Sequence, residues 1–363
     1  MKAWLISDTH FGIKATDNDK WLSLMIDYFY QWFIPTVKNK VKKGDILIHC
    51  GDLFDNRNSI NVKVVDSVVK LFEELSNIFS EIHVIAGNHD AYAMSSTSIN
   101  SLCVIRNISN ITIHDQTSTI LLGGKKCTFM PWIHKKGDEL STLEEHAGSD
   151  YLFCHSDLNG CKTQLNPTRP LNKWIPDIED FKGYGQVWSG HIHIRQSIKN
   201  FTHIGAPYHL DRNDIGNKKG IYVLDLSTSK HLFIENTWSP EFKKVQIINA
   251  EALKALQIEQ FNKDFIDLHI SKSFIAENGK ARLQLEKLTN SWPINEVFWQ
   301  NDLVVEEAPV INSQTVGKTL KEWSIEWIDH LKFNQTYDMF SEMDLKDLMR
   351  TEVEKCFNAV QLS

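Results

Sequence analysis

The chain has 363 residues, 42% of them apolar and 10% aromatic, which is enough for a sizeable core in two or three domains and excludes a disordered protein. A formal net charge of −7 counts against a simple basic nucleic-acid-binding module. The six cysteines (Cys50, Cys103, Cys127, Cys154, Cys161, Cys356) form no CxxC pair, which argues against zinc fingers and for free thiols in a reducing compartment.

The first predicted strand, Trp4-Leu5-Ile6, breaks at Ser7-Asp8, too early for a signal peptide, and no window reaches the length of a membrane span. A soluble, cytoplasmic protein is expected. The strand leads into Asp8-Thr9-His10. After the acidic start Asp17-Asn18-Asp19, apolar residues from Trp21 to Phe33 recur at helical spacing, and Pro35 is expected to kink or end that helix. Ile46-Leu47-Ile48 is a second strand, followed by Gly51-Asp52-Leu53-Phe54-Asp55. A helical pattern from Val62 to Phe79 precedes a third strand, Ile82-His83-Val84-Ile85, and then Gly87-Asn88-His89-Asp90. Strands and helices alternating in this way predict parallel strands and right-handed crossovers.

From about residue 111 the pattern becomes short strands: Thr119–Leu122, Cys127–Met130, Tyr151–Cys154, Val187–Ser189, Ile221–Leu226 and His231–Glu235. Gly123-Gly124 reads as a hairpin turn between the first two. Gly190-His191-Ile192-His193 follows the Val187–Ser189 strand. A second sheet beside the first gives a layered α/β sandwich with two mixed sheets. Beyond about 240, Phe265–Ile270 reads as a strand and Ala276–Leu288 as a short helix. Two amphipathic stripes close the chain, Val316 to Leu331 and Leu345 to Val360. Either stripe reads as core packing or as a partner-docking face. The lysine clusters 38/40/42/43 and 125/126/135/136 read equally well as solvated faces or as phosphate-facing patches.

Four signatures, each placed after a strand, deliver oxygen and imidazole donors to one edge, a set suited to two divalent transition-metal ions sharing a carboxylate. Asp52 is the best candidate for the bridge. Asp8 and His10 alternate at one strand end, and His191 and His193 at another, so each pair is expected to face one side. Asn88 supplies a neutral oxygen. His89, its neighbour, should point elsewhere and is a candidate for contacting the phosphate or protonating the leaving oxygen. The remaining donor is a histidine between the third and fourth signatures: His155 is favoured, with His114 and His134 as competitors.

Together these residues resemble the calcineurin-like metallophosphoesterase superfamily. Within it, Gly51 to Arg57, Trp188 to His193 and His203 to Tyr208 are most similar to SbcD-type nuclease subunits of double-strand-break repair complexes, in their compact phage-like version. The resemblance covers roughly residues 1–235. It implies a phosphoesterase domain (1–238), a small α+β capping domain that contacts DNA (239–312) and C-terminal helices (313–363) that dock an SMC-like ATPase. It also implies manganese-dependent 3′–5′ exonuclease activity on duplex ends and endonuclease activity on single strands, in the host cytoplasm if the chain is phage-encoded. One ion would be held by Asp8, His10, Asp52 and His193, the other by Asp52, Asn88, His155 and His191, with His89 as the catalytic histidine. Relatives carry a histidine where this chain has Asp55, which could instead orient a ligand histidine. The alternative is a phosphatase or phosphodiesterase acting on a non-DNA substrate. Homodimer pairing stays open.

Overall fold

In this computed structural model the described residues are 1–13, 20–93, 96–163, 171–255, 264–281, 283, 294–300, 324–325, 328–329 and 342–360. The chain forms two compact units, Met1–Asp302 and Leu303–Ser363.

Strand β1 (Lys2–Ile6) is buried on both faces: Trp4 and Ile6 point into one apolar layer, Ala3 and Leu5 into another. This is the period-two alternation of a central strand. β2 (Ile46–His49) and β3 (Glu81–Ile85) lie parallel beside it. The first crossover is α1 (Lys20–Asp27), a π-helical turn (Tyr28–Phe33) and α2 (Ile34–Lys38). Pro35 does not end this helix. The π turn just before it lets Ile34 N–H reach back to Phe29 O, five residues away, and Pro35 falls in the first turn of α2, where it has no helical hydrogen bond to lose. The second crossover, α3 (Val62–Ser76), starts where the Asn61 side chain accepts from Lys63 N at 2.8 Å.

A short antiparallel ribbon, β4 (Ala91–Ala93) and β5 (Ser96–Asn100), follows, and β6 (Ile111–His114) joins β3 in parallel. The second sheet is built from β7 (Ser118–Leu122), β8 (Lys125–Met130), β9 (Tyr151–Cys154), β10 (Gln186–Ser189), β11 (Gln196–Ile198) and β12 (Phe201–His203), with α4 (Lys136–Glu145) between β8 and β9. Its order is β11-β12-β10-β9-β8-β7. Gly123 and Gly124 both have positive φ, 58° and 79°, and close the two-residue hairpin between β7 and β8. The late hairpin, β13 (Gly220–Asp225) and β14 (His231–Glu235), returns to the first sheet rather than extending the second, giving the order β14-β13-β1-β2-β3-β6.

The layers are therefore helices α1–α3, first sheet, second sheet, and α4 with its loops. Phe129, Phe153, Trp188 and Tyr222 fill the space between the sheets. The mixed α/β sandwich expected from the periodicity is what the chain forms. Beyond it, β15 (Phe242–Ile247), α5 (Ala250–Ala255), β16 (Phe265–Ser271), α6 (Lys272–Glu277) and β17 (Ile294–Gln300) make a small parallel sheet with its own core around Ile247, Leu268 and Phe274. α6 begins at the Ser271 cap, ahead of the expected Ala276, because the Ser271 hydroxyl accepts from Phe274 N at 3.1 Å. In the second unit, α7 (Glu342–Val360) covers the last predicted stripe, and its Arg350 pairs with Asp329. The acidic Asp17-Asn18-Asp19 start and most of the Val316–Leu331 stripe lie outside the described residues, as does much of the expected Ala276–Leu288 helix.

Candidate metal centre

The parallel strands β1, β2 and β3 of one sheet and β9 and β10 of the other end at a common edge, and all nine candidate residues gather there. Asp8 and His10 follow β1, Asp52 and Asp55 follow β2, and Asn88 and His89 follow β3. His155 follows β9, and His191 and His193 follow β10. Three sets of donors come within 4.8 Å of one another: Asp8, His10 and His193; His10, Asp52 and His89; Asp52, His155 and His191. Asp52 and His10 each belong to two of them. His114 and His134, the competitors to His155, lie elsewhere. His114 is bonded to His83 and stacked 4.0 Å from Phe129 in the inter-sheet core, and His134 is exposed.

The pairs Asp8/His10 and His191/His193 are not delivered by strand pleat. β1 ends at Ile6, and the backbone then turns through left-handed φ at Asp8 (52°) and His10 (46°), with Asp52 (55°) and His191 (78°) in the same region. Thr9, between the first two, is turned inward to His49 Nε2 and the Leu53 carbonyl. Non-glycine residues adopt this region at a cost of about 1–3 kcal/mol each and do so mainly at functional sites. Glycines admit the resulting closeness. A Cβ on Gly51, itself at φ 95°, would overlap the His155 ring, and one on Gly190 would meet Ser7 Oγ and the Cys50 carbonyl.

The hydrogen bonds fix which nitrogen of each ring faces the centre. His155 Nδ1–H donates to Cys50 O at 2.8 Å, so Nε2 is the nitrogen that faces Asn88 Oδ1 (3.0 Å) and Asp52 Oδ2 (3.3 Å). His191 Nδ1 also lies 3.0 Å from Asn88 Oδ1, and His10 Nε2 lies 3.1 Å from His193 Nε2. Asp55 Oδ1 stands 3.2 Å from His10 Nδ1, on the far side of the ring from that contact. Asp8 Oδ1 accepts from His191 N at 2.9 Å, whereas its Oδ2 is buried with no hydrogen-bond partner among the described residues. Lone pairs of nitrogen and oxygen thus converge with too few protons between them, the signature of a cation site, and the O/N donor set fits divalent transition ions.

The electrostatics divide the four rings into two kinds. Burial pulls the His155 pKa down, but the Asp52 carboxylate outweighs it and lifts the ring to about 9. Burial raises Asp52, and His155 more than reverses this, holding the carboxyl well below its ordinary range. His10 is likewise raised, burial being outweighed by Asp55 and then Asp52. Burial holds His191 and His193 neutral, at about 3, as ligand imidazoles must be. Asp8, His10, Asp52 and His155 are buried, while Asn88, His89, His191 and His193 are half-buried and form the open side. His89 donates Nδ1–H to Asp55 O at 2.7 Å, which turns its other nitrogen away from the Asp55 carbonyl, and its backbone N–H holds Asp52 Oδ1 at 2.8 Å.

Several residues that serve the centre were not picked out by sequence pattern. Asp90 is fully buried and accepts from Leu53 N, Phe54 N and Gly87 N, tying the loop after β2 to the loop after β3. Trp132 lies against His191 with ring centres 4.8 Å apart and planes tilted by 33°, and Asp157 Oδ2 stands 3.8 Å from His191 Nε2. Asp90 and Asp157 lie within or two residues beyond the recognised signatures, so proximity could have flagged them. Trp132, the second residue after β8, carries no such signal.

The sequence model of the family described as calcineurin-like phosphoesterase matches residues 1–195. The chain is 29% identical over 244 residues to exonuclease subunit 1 of Enterobacteria phage T4, spanning 66% of this chain and 69% of that protein. Among solved structures it is similar to a protein of unknown function, AQ665 from Aquifex aeolicus, with TM-score 0.25 and 18% identity over 43% of this chain and 80% of the other.

Proposed function

The chain belongs to the calcineurin-like phosphoesterase family and is a metal-dependent phosphodiesterase, and from that premise we propose that it is the DNA nuclease subunit of an SbcCD-type recombination and repair complex. The observation that carries the proposal is the three donor sets linked through His10 and Asp52, together with the likeness to a phage exonuclease subunit. In the proposed assignment Asp8, His10, Asp52 and His193 hold one ion, and Asp52, Asn88, His155 and His191 the other, with manganese as the working metal. Two such ions supply charge neutralisation at the phosphate and an activated water for attack on phosphorus.

The chain's own residues supply the rest. Asn88, His89, His191 and His193, on the open side, meet the substrate first. His89, anchored through Nδ1–H to Asp55 O, carries its exchangeable proton on Nε2 and delivers it to the leaving oxygen as the P–O bond breaks. Asp55, 3.2 Å from His10 Nδ1, orients that ring so that Nε2 stays a donor of electrons. The proposed activities are 3′–5′ exonuclease on duplex ends and endonuclease on single strands. The proposed partners are DNA and an SMC-like ATPase, with residues 239–312 capping the site and 313–363 docking the ATPase. An acidic subunit suits this arrangement when its partner supplies much of the phosphate-binding surface.

The test is cleavage of linear duplex and single-stranded DNA with added Mn²⁺, wild type beside Asp52→Ala. Metal-dependent cleavage abolished by the substitution is the expected result. Hydrolysis confined to a simple phosphomonoester, or cleavage that survives Asp52→Ala, overturns the proposal.

A further inference from the structure

The segment from Ala206 to Lys219 runs between the candidate centre and the small parallel sheet and is bonded to both. Toward the centre, the His193 carbonyl accepts from Ala206 N at 3.2 Å and from Lys219 Nζ at 2.7 Å. Tyr208 OH donates at 2.7 Å to the carbonyl of Thr9, the residue between Asp8 and His10. Lys219 is ion-paired with Asp214, and the two are only 4% and 1% exposed. The second oxygen of Asp214 accepts from Leu210 N at 2.7 Å, which ties the pair back into the segment.

Toward the small sheet, Arg212 donates to both carboxylate oxygens of Asp267 on β16. His209 donates from Nε2 to Asn217 O and accepts at Nδ1 from Phe242 N, the first residue of β15, each at 3.2 Å. Among the described residues, the hydrogen bonds holding Asp52, His155 and His191 run instead to Cys50, Met130, Asn88, His89, His10 and Asp8. The segment therefore bonds directly to the Asp8/His10/His193 set, and reaches Asp52 and His191 only through His10 and Asp8.

A buried ion pair is a poor means of gaining stability, since desolvation offsets most of its attraction, but it is a strict means of fixing geometry. Here it fixes the carbonyl of a candidate ligand. We infer that the Ala206–Lys219 segment is a strut through which the small sheet sets the Asp8/His10/His193 end of the centre, with Lys219 and Tyr208 as positioning residues, while the Asp52/His155/His191 end is anchored at Cys50, Met130, Asn88 and His89 and meets the strut only through Asp8 and His10. The inference rests on the two-ion reading above. Any ligand that binds the small sheet and shifts it changes the affinity of one ion selectively, and by linkage that ion changes the affinity for the ligand.

The experiment is Mn²⁺ titration of the full chain by calorimetry, with electron paramagnetic resonance to count bound ions, for wild type, Lys219→Met, Arg212→Ala and His193→Ala. The wild type takes up two ions. Lys219→Met weakens one of them by about tenfold, the size of effect that groups behind metal ligands typically produce, and leaves the other within about twofold. The weakened ion is the one lost in His193→Ala. Arg212→Ala, at a partly exposed side chain, weakens the same ion and decides the matter if Lys219→Met does not fold. Two ions weakened alike, or neither changed, overturns the strut while leaving the two-ion reading standing. A wild type that binds fewer than two ions overturns both.

Discussion

At the scale of single residues, the centre is held in backbone conformations that its residue types do not favour. Asp8, His10, Asp52 and His191 all have left-handed φ, and backbone amides hold two of their carboxylates: His191 N donates to Asp8 and His89 N to Asp52. The His89 ring is anchored to Asp55 O and stands beside His10 and Asp52 on the open side of the centre. The expected behaviour of His89→Ala follows: two Mn²⁺ ions bound as in wild type, with kcat for DNA cleavage down by about 10²–10⁴-fold, the usual weight of a general acid. Single-turnover cleavage beside a metal titration checks it, and near-normal turnover refutes the assignment. The residue types at the centre were legible from four short signatures and from the position of His155 after a buried strand. Their conformations were not. A strand pleat accounts on paper for Asp8 and His10 facing one side, whereas the chain achieves this with two tight left-handed residues around an inward Thr9. The clasp made by Asp90 was equally hidden, because it depends on backbone amides supplied by a loop some 35 residues earlier (Leu53 and Phe54).

At the scale of elements, α4 shows what pattern reading misses. Its buried residues are Glu139 and Leu143, so no apolar stripe announces it. Glu139 is held under the loop that follows His155 by the Ser156 hydroxyl, which donates to Oε1. Burial is the main cause that raises its pKa from 4.5 to about 7, the Ser156 hydrogen bond opposing. The sign is fixed by linkage. In the folded chain Glu139 keeps its proton between pH 4.5 and about 7, whereas the unfolded chain has lost it. Stability from this group is therefore complete below pH 4.5 and falls as pH rises through about 7, by a total of about 3 kcal/mol. Glu139→Gln is expected to flatten that part of the profile. Denaturant unfolding at pH 5 and pH 8 checks this, and an unchanged slope in the variant counts against it. The π turn before Pro35 is the complementary case. Proline marked the right place for an irregularity, but the remedy, a widened turn that lets the helix continue to Lys38, depends on how Phe29 and Phe33 pack beneath it.

At the scale of the whole molecule, alternation of strand and helix made the first sheet legible, and period-two runs did the same for the second. Which sheet the hairpin β13–β14 would join was not legible, because an edge strand's neighbour is settled by how the sheets stack rather than by its own residues. Here β13 pairs antiparallel with β1, placing Val223 beside Trp4 and Tyr222 beside Leu5. The last helix, α7, belongs to the second compact unit, and its Leu348 and Met343 are exposed. If the proposed docking role holds, removal of the chain from Gln335 onward abolishes association with the proposed ATPase partner and leaves the melting of the first unit within about 2 °C. Co-purification and thermal unfolding of the truncated chain check the two halves of that expectation, and undiminished co-purification refutes the docking role.

The donors of the centre are spread from Asp8 to His193, with Lys219 behind them, and they come from both sheets. Domains fold as units as they leave the ribosome, N-terminal parts first. A nascent chain that has released only the first sheet's early strands therefore carries Asp8, Asp52 and Asn88 with no histidines from the second sheet to complete them. The donor set is complete only once β9 and β10 stand beside the first sheet. The order of the strands along the chain thus makes the donor set a feature that the fold completes late, since the first sheet alone holds no histidine from β9 or β10.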